Sequence, residues 1–155
     1  MNIWKEIGNK EDVETLMNYF QWFHDSCIIS LQYKSGNTVL DDGAMTFPKE
    51  TDVVANVVLQ SQFECKKIEL EFIGVYRMHL LGFGENFDNG LLYGASILFL
   101  KNYKSSTYAK AKTVTAWVDY DYDEENGETI EFSYEDEEFD GSYIIASKIR
   151  WRAFD

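Results

Sequence analysis

Apolar residues recur with two different periods along this chain, and the change of period separates one helix from a series of strands. Between residues 11 and 24 the apolar positions lie three and four residues apart, which is the spacing of one helical stripe. The stripe consists of Val13, Leu16, Met17, Phe20 and His24. Acidic residues at its start complement the positive end of a helix dipole. The pattern therefore predicts one amphipathic helix near the start of the chain.

From Cys27 onward the period is two, which is typical of strands that cover one face. In the segment TIEFSYE, residues 129–135, one face carries Ile130, Phe132 and Tyr134. The connections are short and contain Gly and Asn, and short connections indicate antiparallel pairing. Strands are predicted at about residues 27–33, 52–60, 66–81, 91–101, 113–122, 128–135 and 142–153.

The predicted fold is a single α+β domain covering residues 1–155. One N-terminal amphipathic helix packs on an antiparallel sheet, or on a small sandwich, of about six or seven strands. A chain of this length buries roughly two thirds of the surface that its unfolded form exposes. Its hydrophobic content of 45% and aromatic content of 16% favour strands and argue against disorder.

The sequence favours a cytoplasmic protein without membrane contact. Its apolar runs are shorter than a membrane helix needs, and its first residues lack the apolar region of a secretory signal. Cys27 and Cys65 form no CxxC pair and have no histidine at metal-ligand spacing. We expect reduced, buried thiols, with a single disulfide as the alternative. P-loop, GxGxxG, HExxH and GxSxG patterns are absent, so we expect no cofactor and no resident metal.

Charge is concentrated in one segment. Residues 119–140 contain 12 acidic residues and no basic one, whereas the rest of the chain carries 15 acids against 14 bases. Because phosphate contacts need Lys and Arg, this segment disfavours nucleic-acid binding. A basic protein, by contrast, would be attracted to it.

The acidic segment invites a calcium hypothesis that its spacing excludes. Asp119, Asp121 and Asp123 stand at positions 1, 3 and 5 of an EF-hand-like loop. Glu124 then occupies the position that needs glycine, and Ile130 the position that needs a bidentate carboxylate. Weak binding of a cation is left open.

The acidic segment has two further interpretations, a solvated rim and a docking surface. For the rim, a basic row of Lys148, Arg150 and Arg152 could neutralise Glu131 and Glu135 on a paired strand. For the docking surface, tyrosines stand among the acids, and aromatic anchors are common at interfaces. The predicted partner-binding residues are Asp119, Tyr120, Asp121, Tyr122, Asp123, Glu124, Glu125, Glu135, Asp136, Glu137 and Glu138.

The segment FHDSC, residues 23–27, gathers a base, an acid and a nucleophile. Neighbours in sequence rarely point at one another, so we expect His24 to be a partly buried structural histidine. The alternative function is a small-molecule-binding or enzymatic pocket between helix and sheet. Its residues would be His24, Asp25, Cys27 and His79.

Two stretches carry a family resemblance. WFHDSCIISLQY, residues 22–33, resembles a Phe-His-Asp helix-to-strand junction of small uncharacterised bacterial domains. SYIIASKIRWRAF, residues 142–154, is similar to the last strand of such domains. Some of these domains are similar to immunity proteins of bacterial polymorphic toxin systems, which implies toxin neutralisation or another protein-binding role and no catalytic residues.

The function predicted from the sequence is therefore non-catalytic protein binding. An immunity-type antitoxin would present its acidic face to a basic partner. A self-associating structural subunit is the third hypothesis, since exposed aromatics or a free sheet edge would also produce a homo-oligomer.

Overall fold

The computed structural model describes residues 3–64, 66–82, 90–106, 109–120 and 141–154. The described part contains one α-helix, α1 (Lys10–Tyr19), and ten strands. The strands are β1 (Lys5–Ile7), β2 (Ser26–Lys34), β3 (Thr38–Val39), β4 (Met45–Thr46), β5 (Val54–Ser61), β6 (Lys67–His79), β7 (Leu91–Leu92), β8 (Ser96–Tyr103), β9 (Lys112–Val118) and β10 (Tyr143–Phe154). Short 3₁₀ turns lie at Gln21–Phe23 and Glu50–Asp52.

Seven strands form a curled antiparallel sheet in the order β7-β2-β5-β6-β10-β9-β8. The twelve-residue strand β10 pairs with β6 along its length. On its other side β10 pairs with β9 through residues 143–146 and with β1 through residues 149–151. Strands β3 and β4 form a separate two-stranded hairpin. The prediction of antiparallel pairing is confirmed, while β1, β3 and β4 were not predicted.

The predicted α+β class is wrong, because the protein is mostly sheet and its one described helix is short. Helix α1 begins where the acidic residues indicate, since Asn9 caps it and Asp12 completes a capping box. It ends at Tyr19, however, and the backbone turns left-handed at Gln21. The last two residues of the predicted stripe, Phe20 and His24, therefore lie beyond the end of α1.

The core lies between α1, the following turn and one face of the sheet. Leu16 and Met17 of α1 are buried in it, and the ring of Tyr19 lies 5.1 Å from that of Trp151. The sheet supplies most of the remaining core side chains: Ala55, Val57, Leu59, Ile68, Leu70, Phe72, Ile97, Trp117, Ile144, Ile149 and Trp151. A second, smaller cluster contains Tyr103, Val114, Ala116, Val118, Tyr143 and Ile145. Strands thus provide most of the buried area, as expected of a β protein.

The other face of β6 and β10 carries paired charges. The register places Arg150 opposite Glu71 and Arg152 opposite Glu69, and each arginine forms an ion pair with its partner. The Nε of Arg152 donates to Glu69 at 2.7 Å. Both guanidinium groups also lie over the ring of Trp4, at 4.6 and 4.5 Å. Period-two alternation therefore separates an apolar face from a charged one along these two strands.

Within the described residues, no helix combines the length and the apolar character that crossing a bilayer requires.

Candidate functional site

The described start of the acidic segment, Asp119, is hydrogen-bonded to the residue that precedes β10. Asp119 follows β9 directly, and its N–H donates to the carbonyl of Ser142 at 2.8 Å. Val118, the last residue of β9, pairs with Tyr143, the first residue of β10. The described residues on either side of 121–140 are therefore held side by side, at the end of β9 and the start of β10.

Two of the eleven predicted partner-binding residues lie in the described part of the chain. These are Asp119 and Tyr120, and the Tyr120 side chain is exposed. The other nine lie outside the described residues: Asp121, Tyr122, Asp123, Glu124, Glu125, Glu135, Asp136, Glu137 and Glu138. Their role as a docking surface stays a prediction.

Two of the three bases in the row on β10 have carboxylate partners inside the sheet. The sequence suggested that Arg150 and Arg152 face Glu131 and Glu135, which lie outside the described residues. In the structure each arginine forms an ion pair with β6 instead. Much of the charge of these two arginines is thus already balanced.

The segment FHDSC differs from its prediction because α1 ends early. His24 lies after the 3₁₀ turn, with its side chain 63% exposed, so the expected partly buried histidine is wrong. Its Nδ1 lies 2.8 Å from Oδ2 of Asp25, and the same oxygen accepts from Gln62 Nε2 at 3.2 Å. This links the turn to the end of β5.

The turn itself is strained. Gln21, Trp22, Phe23 and Asp25 all have positive φ angles, between 48° and 60°. A left-handed backbone costs roughly 1–2 kcal/mol for each such residue. Buried Phe23 offsets part of this cost, because its ring packs edge-on against Phe20 at 5.2 Å in the core.

The four residues of the alternative pocket are not brought together. Asp25 and Cys27 line a shallow depression of about 360 Å³ at the β2–β7 end of the sheet, whereas His24 is not among its lining residues. His79 lies at the last position of β6, while the depression is near the first. Its Nδ1 is 3.1 Å from the carbonyl of Gly141. Cys27 has a free, half-buried thiol, and Cys65 lies outside the described residues.

A polar cluster that the sequence did not reveal joins the β2–β5 connection to the sheet. Glu50 accepts hydrogen bonds from Ser147 of β10 and from Lys112 of β9, the latter at 2.9 Å. The Tyr76 hydroxyl contacts Ser147 Oγ at 2.9 Å and also the Lys112 ammonium. The hydrogen bond from Ser147, followed by that from Lys112, lowers the pKa of Glu50 below its ordinary value of 4.5. The four residues are far apart in sequence, so only the strand order brings them together.

A second feature missed from the sequence is the hairpin formed by β3 and β4. Val39 pairs with Met45 in register, and Phe47 follows β4 directly. All three side chains point into solvent, with exposed fractions of 65%, 73% and 89% respectively. The signal was present in TVLDDGAMTF, residues 38–47, where a DDG turn separates two short alternating segments.

No protein family, curated protein or solved structure was found to match this chain. Within residues 3–64, 66–82, 90–106, 109–120 and 141–154, no group of three or more His, Cys, Asp or Glu side chains is arranged to hold a metal ion. Candidate surfaces include the acidic segment, the exposed hairpin and the depression near Cys27.

Proposed function

We propose that this protein is a non-catalytic binding domain for a basic protein, and that residues 119–140 attract the partner. Twelve of the 13 excess negative charges belong to this segment. The electrostatic field of such a charge concentration accelerates association with an oppositely charged protein, and this acceleration decreases as ionic strength rises. Binding of nucleic acid without another basic component is disfavoured by the same field.

The observation that carries the proposal is the internal pairing of Arg150 and Arg152. A self-neutralised rim needs cations from the same chain, and the sequence offered Lys148, Arg150 and Arg152 of the last strand. Glu71 and Glu69 already form ion pairs with the two arginines. An external basic surface is therefore the better-supported source of compensating charge.

The finer proposal is an immunity-type antitoxin that covers the cationic site of a toxin, acting in the cytoplasm. Support comes from the resemblance of residues 22–33 and 142–154 to immunity-like bacterial domains and from the sign of the charge. Inhibition by occlusion needs no catalytic group on this chain, and the binding energy would come from tyrosines buried after an electrostatic encounter.

The experiment compares two variants that each lose four carboxylates. The segment variant carries Asp121→Asn, Asp123→Asn, Glu135→Gln and Glu137→Gln. The control variant carries Glu6→Gln, Glu11→Gln, Glu14→Gln and Glu64→Gln, all at exposed positions. Wild type and both variants are immobilised, and proteins retained from a lysate of the source organism are identified by mass spectrometry after low-salt and high-salt washes.

We expect wild type and control to retain the same basic protein at low salt. With that protein purified, the segment variant should associate roughly tenfold more slowly at low salt, and the difference should shrink as salt screens the charges. Rescue of cells that express the partner would then test the antitoxin role. Equal association rates for the two variants would contradict steering by residues 119–140.

A further inference from the structure

The β3–β4 hairpin is held in one conformation by its turn. The backbone N–H of Leu40 donates to Ala44 O at 2.8 Å, and that of Gly43 donates to Leu40 O at 2.8 Å. Asp42 Oδ1 accepts from the N–H of Ala44 at 2.9 Å, and Gly43 supplies the left-handed φ of +84°. These bonds order the turn before any partner binds, which lowers the entropic cost of binding.

The base of the hairpin is fixed as well. Gly36 has φ +72°, and a Cβ built there would lie 2.7 Å from Pro48 Cβ and 2.8 Å from Asp52 Cβ. Only glycine lets the two arms approach this closely. A few residues further on, Glu50 is hydrogen-bonded to Ser147 and Lys112 of the sheet. The hairpin is therefore a projection with an anchored base.

The exposed face of this projection is apolar. Val39 and Met45, which pair in register, lie on it, and the exposed Phe47 follows β4 directly. An amphipathic hairpin normally turns its apolar face towards a core, and an isolated two-stranded sheet is only marginally stable in water. A rigid element with grouped, exposed apolar side chains is typical of an interaction site.

Charge indicates what covers this face. The turn between β3 and β4 carries two acids, Asp41 and Asp42, while the nearest bases, Lys34 and Lys49, lie before β3 and after β4. A second copy of the chain would bring together two molecules that each carry a net charge of −13, and this repulsion opposes self-association. Cations beside an apolar cleft complement both the acidic tip and the apolar face.

We propose that the apolar face of the β3–β4 hairpin docks into an apolar cleft on a basic protein, with Phe47 as the central anchor and Asp41 and Asp42 facing its cations. This inference rests on the proposed function, since it adds a short-range contact with the same partner. The acidic segment would govern the rate of association, and the hairpin would govern the rate of dissociation.

The first test asks whether the face is open in the isolated protein. Dilute hydrogen peroxide oxidises accessible methionines, and mass spectrometry measures the rate at each one. Met45 is exposed, while Met17 is buried and serves as the control in the same molecule. We expect fast oxidation of Met45 and slow oxidation of Met17. Equally slow rates would show that the chain itself covers the face and would overturn the proposal.

The second test identifies the occupant with Phe47→Ser and a control, Ile3→Ser, which also removes an exposed apolar side chain. Both variants should fold, which circular dichroism verifies. Proteins are captured from a lysate of the source organism as before, identified, purified and titrated against each variant. We expect the captured protein to have a strongly basic isoelectric point. Its affinity for Phe47→Ser should be at least about tenfold lower than for wild type, and its affinity for Ile3→Ser should equal that for wild type. The bound partner should also slow the oxidation of Met45.

The two proposals fail in different ways. Full affinity of the basic partner for Phe47→Ser would overturn docking by the hairpin. The acidic-segment proposal would still stand if the segment variant associates slowly. Sedimentation that shows a dimer lost in Phe47→Ser would identify a second copy as the occupant, which also overturns the present proposal. Capture of no basic protein by wild type would overturn both.

Discussion

Strand pair β6–β10 and hairpin β3–β4 show the same alternation of apolar and polar residues. The apolar side chains are buried in the pair and exposed in the hairpin. In the pair, Phe72 and Trp151 face the core, and Arg150 and Glu71 form an ion pair on the opposite face. In the hairpin, by contrast, the apolar side chains are exposed. Period-two alternation therefore identifies which residues share a face. Whether that face is covered depends on which other elements the topology places over it.

The difference also separates two roles for apolar side chains. Those of β6 and β10 stabilise the fold, because folding removes them from water. The corresponding side chains of the hairpin gain little from folding, since they stay in water. Their burial can still stabilise a complex, so the same chemical groups contribute to stability in one region and to binding in the other.

The largest expected contrast is between Trp151→Ala and Phe47→Ala. Trp151 is 1% exposed and is in contact with the core, so its truncation should cost about 3–5 kcal/mol of unfolding free energy. Phe47 is already in solvent, and its truncation should change stability by less than about 0.5 kcal/mol. Urea denaturation followed by tryptophan fluorescence and by circular dichroism measures both. A comparable loss for Phe47→Ala would mean that the hairpin face is buried in the isolated chain.

A smaller difference in stability is expected between alanine variants of two glycines with positive φ. These are Gly74 in β6 and Gly43 in the hairpin turn. At both positions, substitution by alanine should lower the unfolding free energy by about 1–2 kcal/mol, because alanine disfavours the left-handed backbone. At Gly74 the new Cβ would also lie 2.9 Å from Glu50 Cγ and 3.0 Å from Ser147 Cβ. Overpacking should add about 1–3 kcal/mol there, whereas nothing lies within 4 Å at Gly43.

Thermal unfolding of Gly74→Ala and Gly43→Ala measures this difference directly. If the two variants lose equal stability, the junction of Gly74, Glu50 and Ser147 is looser than the distances indicate. A larger loss at Gly43 would mean that the hairpin turn, rather than the junction, limits the stability of this region.

Strands that cover the core on one face could be predicted from the sequence. The alternation of Ile149 and Trp151 with Arg150 and Arg152 predicts the two faces of β10, and the structure agrees. The start of α1 was also predicted, because the acidic first turn is a local signal. The pairing of Arg150 with Glu71 was not, since strand order is a long-range property that one sequence does not contain.

The remaining errors have local physical causes. The apolar stripe continues to His24, but left-handed backbone at Gln21 ends the helix, and tertiary packing of Phe23 rather than propensity determines this turn. The hairpin was missed because each of its strands has two residues, so the DDG turn was the main local signal for it. Of the residues proposed for the alternative pocket, Asp25 and Cys27 line one depression, whereas His24 and His79 do not.

The smallest expected effect concerns the anchor between hairpin and sheet. The lowered pKa of Glu50 means that folding favours its ionised form. This contribution to stability should be fully present above the ordinary value of 4.5 and should be lost as the pH falls through the lower pKa of the folded state. Because the Glu50 side chain is about half exposed, the contribution should stay below about 1 kcal/mol. The difference in unfolding free energy between wild type and Glu50→Gln should therefore be largest near neutral pH and should vanish at low pH.

Carbon-detected NMR titration of the Glu50 carboxyl distinguishes the two causes of its lowered pKa. Ser147→Ala removes the largest single cause, whereas Lys112→Met removes a hydrogen bond and a charge attraction together, so each should raise the pKa of Glu50 towards 4.5. The Ser147 hydroxyl stands on a short side chain of β10, and the Lys112 ammonium, at the end of a longer one, also contacts the Tyr76 hydroxyl. A larger change in Lys112→Met would show that charge, rather than the hydroxyl, anchors the base of the hairpin. High salt would then weaken the anchor, because it screens the charges. The exposed hairpin would lose the fixed orientation that distinguishes it from an ordinary surface loop.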